Sequence, residues 1–294
     1  MKLNEGMFRR LILFAFVLFN FFISLSQKDI AFAIYNSSGR QVSYSKLKKN
    51  LSNKSFVFFG EFHDNPISHW LEFEITQELF SLYGEKLKLG FEMFETDQQS
   101  LLSDFVLGNI DEKSFKDSAR LWVNYKTDYK PLVDFAKQEN LYCMASNIPR
   151  IYANRLYRQG RTSLDSLSDR EKSYMAPLDF EVDTTLSQYA NLLQMAAHMG
   201  AGFSFVEAQA IKDATMAHFL FGNRKSDETF IHFNGAYHTD FYQGIIWYLR
   251  KKDPNAKILT ISTVSQEKVN KLESEHFGKA DFIICVDQNM TSTH

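Results

Sequence analysis

The chain has 294 residues, 33 Lys and Arg against 35 Asp and Glu, 45% hydrophobic content and two Cys. Ordinary apolar content with balanced charge excludes a disordered chain, and two Cys cannot staple a disulfide scaffold of this length. A net charge of −2 gives no sign of the basic face that a polyanion needs, so a general nucleic-acid binder is not expected.

The first segment reads as an address. Lys2, Arg9 and Arg10 precede an apolar run over residues 11–25, broken only by Asn20 and Ser24. A run of about 15 residues is short for a membrane span and suits a signal-peptide core. Ser24 and Ser26 provide small residues for cleavage before Gln27. The expectation is a leader over 1–26 and a single exported domain over 27–294. No Cys ends the run, so lipoprotein attachment is not expected.

From there strands and helices alternate. Six short, continuous apolar runs predict strands covered on both faces, at 56–60, 87–92, 141–145, 229–233, 257–261 and 282–286. Cys143 and Cys285 fall inside two of them and read as buried free thiols. Asn65 before Pro66 opens a helix over 66–83 that Gly84 closes. Further helices are predicted at 98–107, 131–137 and 243–251. The connection from about 149 to 225 is too long for one crossover and reads as helices at 150–157, 169–175, 184–199 and 203–221. The fold class is therefore α/β: a mainly parallel central sheet flanked by helices, with a helical insertion between the third and fourth predicted strands.

Polar residues of chemical interest follow the strands. The first runs into Gly60-Glu61-Phe62-His63-Asp64, the second ends at Glu92, the third is followed by Asn147 and Arg150, and the fourth by Gly235-Ala236-Tyr237-His238. In an open parallel sheet, ligands bind outside the carboxyl ends of the strands. Glu61, His63, Glu92, Asn147, Arg150 and His238 are thus expected at one crevice. Two His and two carboxylates suit a divalent metal such as Zn, Mn or Fe, and suit acid–base work equally well. In the catalytic alternative, a metal-bound or His-activated water attacks a peptide or ester carbonyl. Glu61 or Glu92 is then the base, and Arg150 orients the substrate. His69, on the first helix, reads either as a support behind this site or as a partly buried surface histidine, and the second is favoured. No dinucleotide-binding glycine motif, P-loop or serine-hydrolase elbow occurs.

The ordered set Gly60-Glu61-Phe62-His63-Asp64-Asn65-Pro66, Glu92-Met93-Phe94 with Gln98, Asn147-Ile148-Pro149-Arg150, Ala197-His198-Met199, Gln209 with Asp213, Met216 and Ala217, and Gly235-Ala236-Tyr237-His238 resembles the ChaN-like haem-binding uptake family. That family is grouped with the Tiki and erythromycin esterase-like proteins. The resemblance implies an exported, bacterial, periplasmic or envelope-associated protein that binds haem, forms a homodimer and meets haem or iron transport components. It also implies, from the wider superfamily, a metal-dependent hydrolytic site at Glu61, His63, Glu92 and His238, supported by Asn147 and Arg150. For haem iron, Tyr174, His198 and Met199 of the insertion are chemically competent ligands.

Overall fold

The computed structural model describes residues 30–294; the expected leader over 1–26 lies outside them. Eight strands form one sheet: β1 (Phe32–Asn36), β2 (Gln41–Val42), β3 (Phe56–Glu61), β4 (Leu87–Glu95), β5 (Tyr142–Asn147), β6 (Thr229–Gly235), β7 (Ile258–Gln266) and β8 (Phe282–Asp287). Their order is β2-β1-β8-β7-β3-β6-β4-β5. The six from β3 to β8 are parallel to one another, and β1 runs antiparallel to both β2 and β8. All six predicted strands are present. β6, late in the chain, lies between β3 and β4, and its first residue, Thr229, donates from Oγ1 to the Lys54 carbonyl 175 residues away.

The helices are α1 (Tyr44–Asn50), α2 (Pro66–Tyr83), α3 (Gln99–Val106), α4 (Glu112–Ser118), α5 (Lys130–Gln138), α6 (Arg150–Gln159), α7 (Asp169–Lys172), α8 (Ser187–His198), α9 (Ser204–Gly222) and α10 (Ile245–Lys252). Side chains along β3 alternate between two apolar layers. Val57 and Phe59 join the layer that holds residues of α1 to α5, and Phe56 and Phe58 join the layer built with α6, α9 and α10. A strand covered on both faces needs apolar residues at every position, which is why the run reads as continuous.

Sequence reading passed over β1, β2, α1 and α4. Each helix buries one side chain, Leu47 in α1 and Phe115 in α4, so neither shows an apolar stripe. Both are set by their caps: Ser43 accepts from the Lys46 N–H and Asp111 from the Ser114 N–H. α2 matches its prediction at both ends. Asn65 Oδ1 accepts from the Ile67 and Ser68 N–H groups at 3.0 Å, and Gly84, at φ 54°, ends the helix. It buries the polar side chains of Ser68, His69, Glu72 and Thr76 as well as Leu71, Ile75 and Leu79. Cys143 and Cys285 are buried, in β5 and β8, and both are free.

Candidate functional site

The two Gly-x-x-His segments leave adjacent strands, with Glu61 of β3 in register with Gly235 of β6. They interlock through their glycines. A β-carbon on Gly60 would lie 2.9 Å from the Ala236 Cα, and one on Gly235 would lie 2.8 Å from His63 Nε2. Each glycine leaves the room that the other segment fills.

Four of the expected residues meet here, as two hydrogen-bonded pairs. His63 Nδ1 lies 2.6 Å from Glu61 Oε1, and His238 Nε2 lies 3.1 Å from Glu92 Oε1. The other His238 nitrogen is hydrogen-bonded to Asp213, which α9 brings in from the insertion and which also accepts from the Tyr189 hydroxyl at 2.7 Å. Glu92 also accepts the Gly235 N–H at 2.8 Å. Burial opposes charge on His238, but the Glu92 and Asp213 carboxylates outweigh it and push the imidazole up to about 10. His238 is thus an imidazolium at neutral pH. Burial likewise acts to raise Glu92, yet His238, His63 and the Gly235 N–H hold it far below the usual carboxylate range. An anion so stabilised is a weak general base. His63 is raised: burial lowers it, and the Glu61 hydrogen bond and the Glu92 charge overcome that.

A second polar group lies around Glu61. The Tyr129 hydroxyl donates to Glu61 Oε1 at 2.6 Å. His69, buried rather than at the surface, sets Nδ1 2.9 Å from Glu72 Oε2 and 3.7 Å from Glu61 Oε2. Its Nε2 lies 3.1 Å from the His63 carbonyl and 3.4 Å from Asp128 Oδ2. Asn124 donates to that carbonyl and to Asp128, both at 2.7 Å. Tyr129 and Asp128 are delivered by a single π-helical turn over Tyr125–Tyr129, a rare geometry that is frequent at functional sites. Burial, then the Glu61 and Asp128 charges, raise Glu72 well above the ordinary range.

Above these groups opens a cleft of about 550 Å³. His63 and Trp122 meet there edge to face at 4.9 Å. Arg120, Val123, Arg150, Ile151 and His294 complete much of the lining. Arg120 is bound to Glu95 and Asp97, whereas Arg150 makes no ion pair among the described residues. Val123 and Ile151 are 86% and 66% exposed. Thr293 Oγ1 donates to Asp128 and Ser292 Oγ to Asp64, which brings His294 to the rim.

Asn147 is half-buried at the end of β5, and its Oδ1 has no partner. Tyr174 is half-buried and is not among the residues lining the cleft: its carbonyl accepts from Thr96, next to the lining residue Glu95, and its phenol oxygen accepts from Arg170 Nε at 3.2 Å. His198 and Met199 end α8, exposed, and do not line the cleft. Sequence reading passed over Glu72, Arg120, Trp122, Asn124, Asp128 and Tyr129. Glu72 carries one signal, a carboxylate three residues after a histidine on the apolar face of a helix. The others sit in a segment without periodicity.

A family model described as haem-binding uptake, Tiki superfamily, ChaN matches residues 47–249. The chain belongs to this family. Among solved structures, ChaN of Campylobacter jejuni, described with cofacial haem binding, has 17% sequence identity. The match covers 87% of this chain and 97% of that one, with a TM-score of 0.65. A Bacillus cereus protein has 12% identity, coverage of 82% and 90%, and a TM-score of 0.50. An erythromycin esterase in its open conformation has 9% identity, coverage of 80% and 77%, and a TM-score of 0.46. At these identities the likeness is one of fold. No curated protein matches the chain. The ChaN-type fold and α/β class expected from the sequence hold.

Proposed function

We propose that this chain binds haem and serves haem or iron uptake at the bacterial envelope, exported behind the leader over residues 1–26. The observation that carries the reading is the cleft, where an uncompensated arginine, Arg150, stands beside the unpartnered apolar side chains Val123 and Ile151 above Trp122 and His63. A flat apolar ring with carboxylate arms is what such a site recognises: apolar walls take the ring, and a guanidinium takes a carboxylate in paired hydrogen bonds.

The described residues fit the group. Tyr174 is our first choice of iron ligand, because its phenol oxygen is already held in place by the Arg170 guanidinium at 3.2 Å and a tyrosine oxygen can ligate haem iron. Bound haem would supply iron for the Tyr174 phenol oxygen to hold. Arg150 orients a propionate, and Trp122, Val123 and Ile151 keep water from the ring. His198 and Met199 remain candidate ligands on a different face. Leu193, Met195, Met199 and Phe203, in and after α8, are exposed, and a homodimer contact would cover such apolar side chains.

The test is a haem titration followed at the Soret band. Saturable binding is expected, with a changed spectrum in Tyr174→Phe and affinity lower by about tenfold or more in Arg150→Ala. Lack of saturation in the unmutated chain refutes the reading. A Soret change in His198→Ala or Met199→Ala, with none in Tyr174→Phe, moves the ligand to α8.

A second reading, a hydrolase, is favoured by one observation: the His63 side chain, bonded to Glu61, is 39% exposed and opens to the cleft. His63 would take a proton from the attacking water, and Arg150 and Asn147 would orient the substrate. The divalent metal expected from Glu61, His63, Glu92 and His238 does not fit, because both His238 nitrogens are engaged by carboxylates, which leaves neither open to a metal. No step is assigned to a metal there. A panel of ester and peptide substrates checks this reading, with His63→Ala as control.

A further inference from the structure

We infer that a divalent transition-metal ion binds beneath the cleft, held by Glu61 Oε2, His69 Nδ1 and Glu72, in a site distinct from the strand-end pairs. The inference does not rest on the haem reading.

Three potential ligand atoms, one each from Glu61, His69 and Glu72, lie within 4.8 Å of one another. Glu61 Oε2 and Glu72 Oε1 are buried without a hydrogen-bond partner, on side chains from which solvent is almost wholly excluded. Unpartnered buried carboxylate oxygens are costly and call for an explanation. His69 sharpens the case. Its Nε2 faces the His63 carbonyl at 3.1 Å, and a carbonyl only accepts, so Nε2 carries the proton. In the neutral imidazole, the Nδ1 lone pair then points at Glu72 Oε2 at 2.9 Å and Glu61 Oε2 at 3.7 Å. Acceptors facing acceptors need protons or a metal ion between them. A proton on Nδ1 satisfies that atom alone, and a second one, shared by Glu72 and Glu61, is needed for Glu61 Oε2 and Glu72 Oε1, whereas one divalent cation engages all three side chains.

The surroundings are those of a ligand set held in place. A metal-bound imidazole typically donates its other N–H to a carbonyl or carboxylate, as His69 does to His63, with Asp128 3.4 Å away. Glu61 is fixed through its other oxygen by the Tyr129 hydroxyl at 2.6 Å and His63 at 2.6 Å. One imidazole with carboxylates suits Zn, Mn, Fe or Co better than Mg or Ca, which favour oxygen alone. An ion here clamps Glu61, and so sets His63 in the cleft above.

The test uses the full chain, stripped with chelator and titrated with Co2+, with visible bands read for coordination. One equivalent is expected to bind. Affinity should be lost in Glu72→Gln and reduced about 10- to 100-fold in Tyr129→Phe, while His238→Gln leaves binding intact. Pulsed electron paramagnetic resonance on the unmutated chain loaded with Mn2+ should find one coordinated imidazole, a readout that needs no variant to fold. Absence of stoichiometric binding overturns the inference, with protons then balancing the cluster. So does a signal from two imidazoles, or binding that His238→Gln abolishes and Glu72→Gln spares.

Discussion

Replacing Gly235 by Ala tests whether the two strand-end segments hold each other in place. The backbone there, at φ −54° and ψ 137°, suits alanine, so the substitution brings no torsional strain. It does bring a clash: the new methyl lies 2.8 Å from His63 Nε2 and 3.0 Å from Cε1. Ordinary contact begins near 3.5 Å, so the ring retreats by roughly 0.6 Å. The His63–Glu61 hydrogen bond, now 2.6 Å, is lost or stretched. Such bonds to charged groups contribute about 1.5–3 kcal/mol, and the 39% exposure of His63 argues for the lower end. Two readouts follow: a loss of about 1.5 kcal/mol in urea unfolding, and movement of the His63 titration toward lower pH in imidazole proton NMR. Gly222→Ala, where a β-carbon meets nothing within 4 Å, is the neutral control. An unshifted His63 titration in Gly235→Ala would refute the interlock.

Three more outcomes are expected. His238 is raised from 6.5 to about 10, so its contribution to stability is complete below pH 6.5 and is lost as pH rises through about 10; unfolding free energy of the unmutated chain should fall across that window, and the His238 part of the slope should be missing in His238→Gln. Asp213→Ala strips a buried partner from His238 and Tyr189 and should cost about 3 kcal/mol or more; a loss under about 1 kcal/mol in denaturant titration would show that Glu92 suffices alone. Phe59→Ala empties a fully buried position on β3 and should cost about 3–5 kcal/mol by the same assay.

The central strands were legible because their surroundings are simple. A strand such as β3, with Val57 and Phe59 in one layer and Phe56 and Phe58 in the other, has no polar position to blur its pattern. The polar residues after the strands were legible because parallel topology sends every strand end to the same side. The Glu61 cluster was not. His69 and Glu72 lie among the buried residues of α2, where helical periodicity favours apolar side chains, and Asp128 and Tyr129 come from a π-helical turn that leaves no local pattern. The exposed end of α8 poses the converse problem. Its Met and Leu residues suit either a buried face or an uncovered one, and periodicity cannot tell them apart.

The position of β6 bears on how the chain reaches this fold. β3 and β4 are consecutive among the central strands, yet β6 separates them. During synthesis at about 5–20 residues per second, both have emerged on the order of ten seconds before β6. Through that interval two apolar strands present open edges of the kind that invite wrong pairing or aggregation, and the most accessible wrong partner for each is the other. A β3–β4 hairpin of this sort would shut the slot that residues 229–235 must enter. Slow, non-local closure of the central pair is therefore expected to limit the folding rate, and a chaperone that keeps the slot open should raise the yield of native protein without changing its stability.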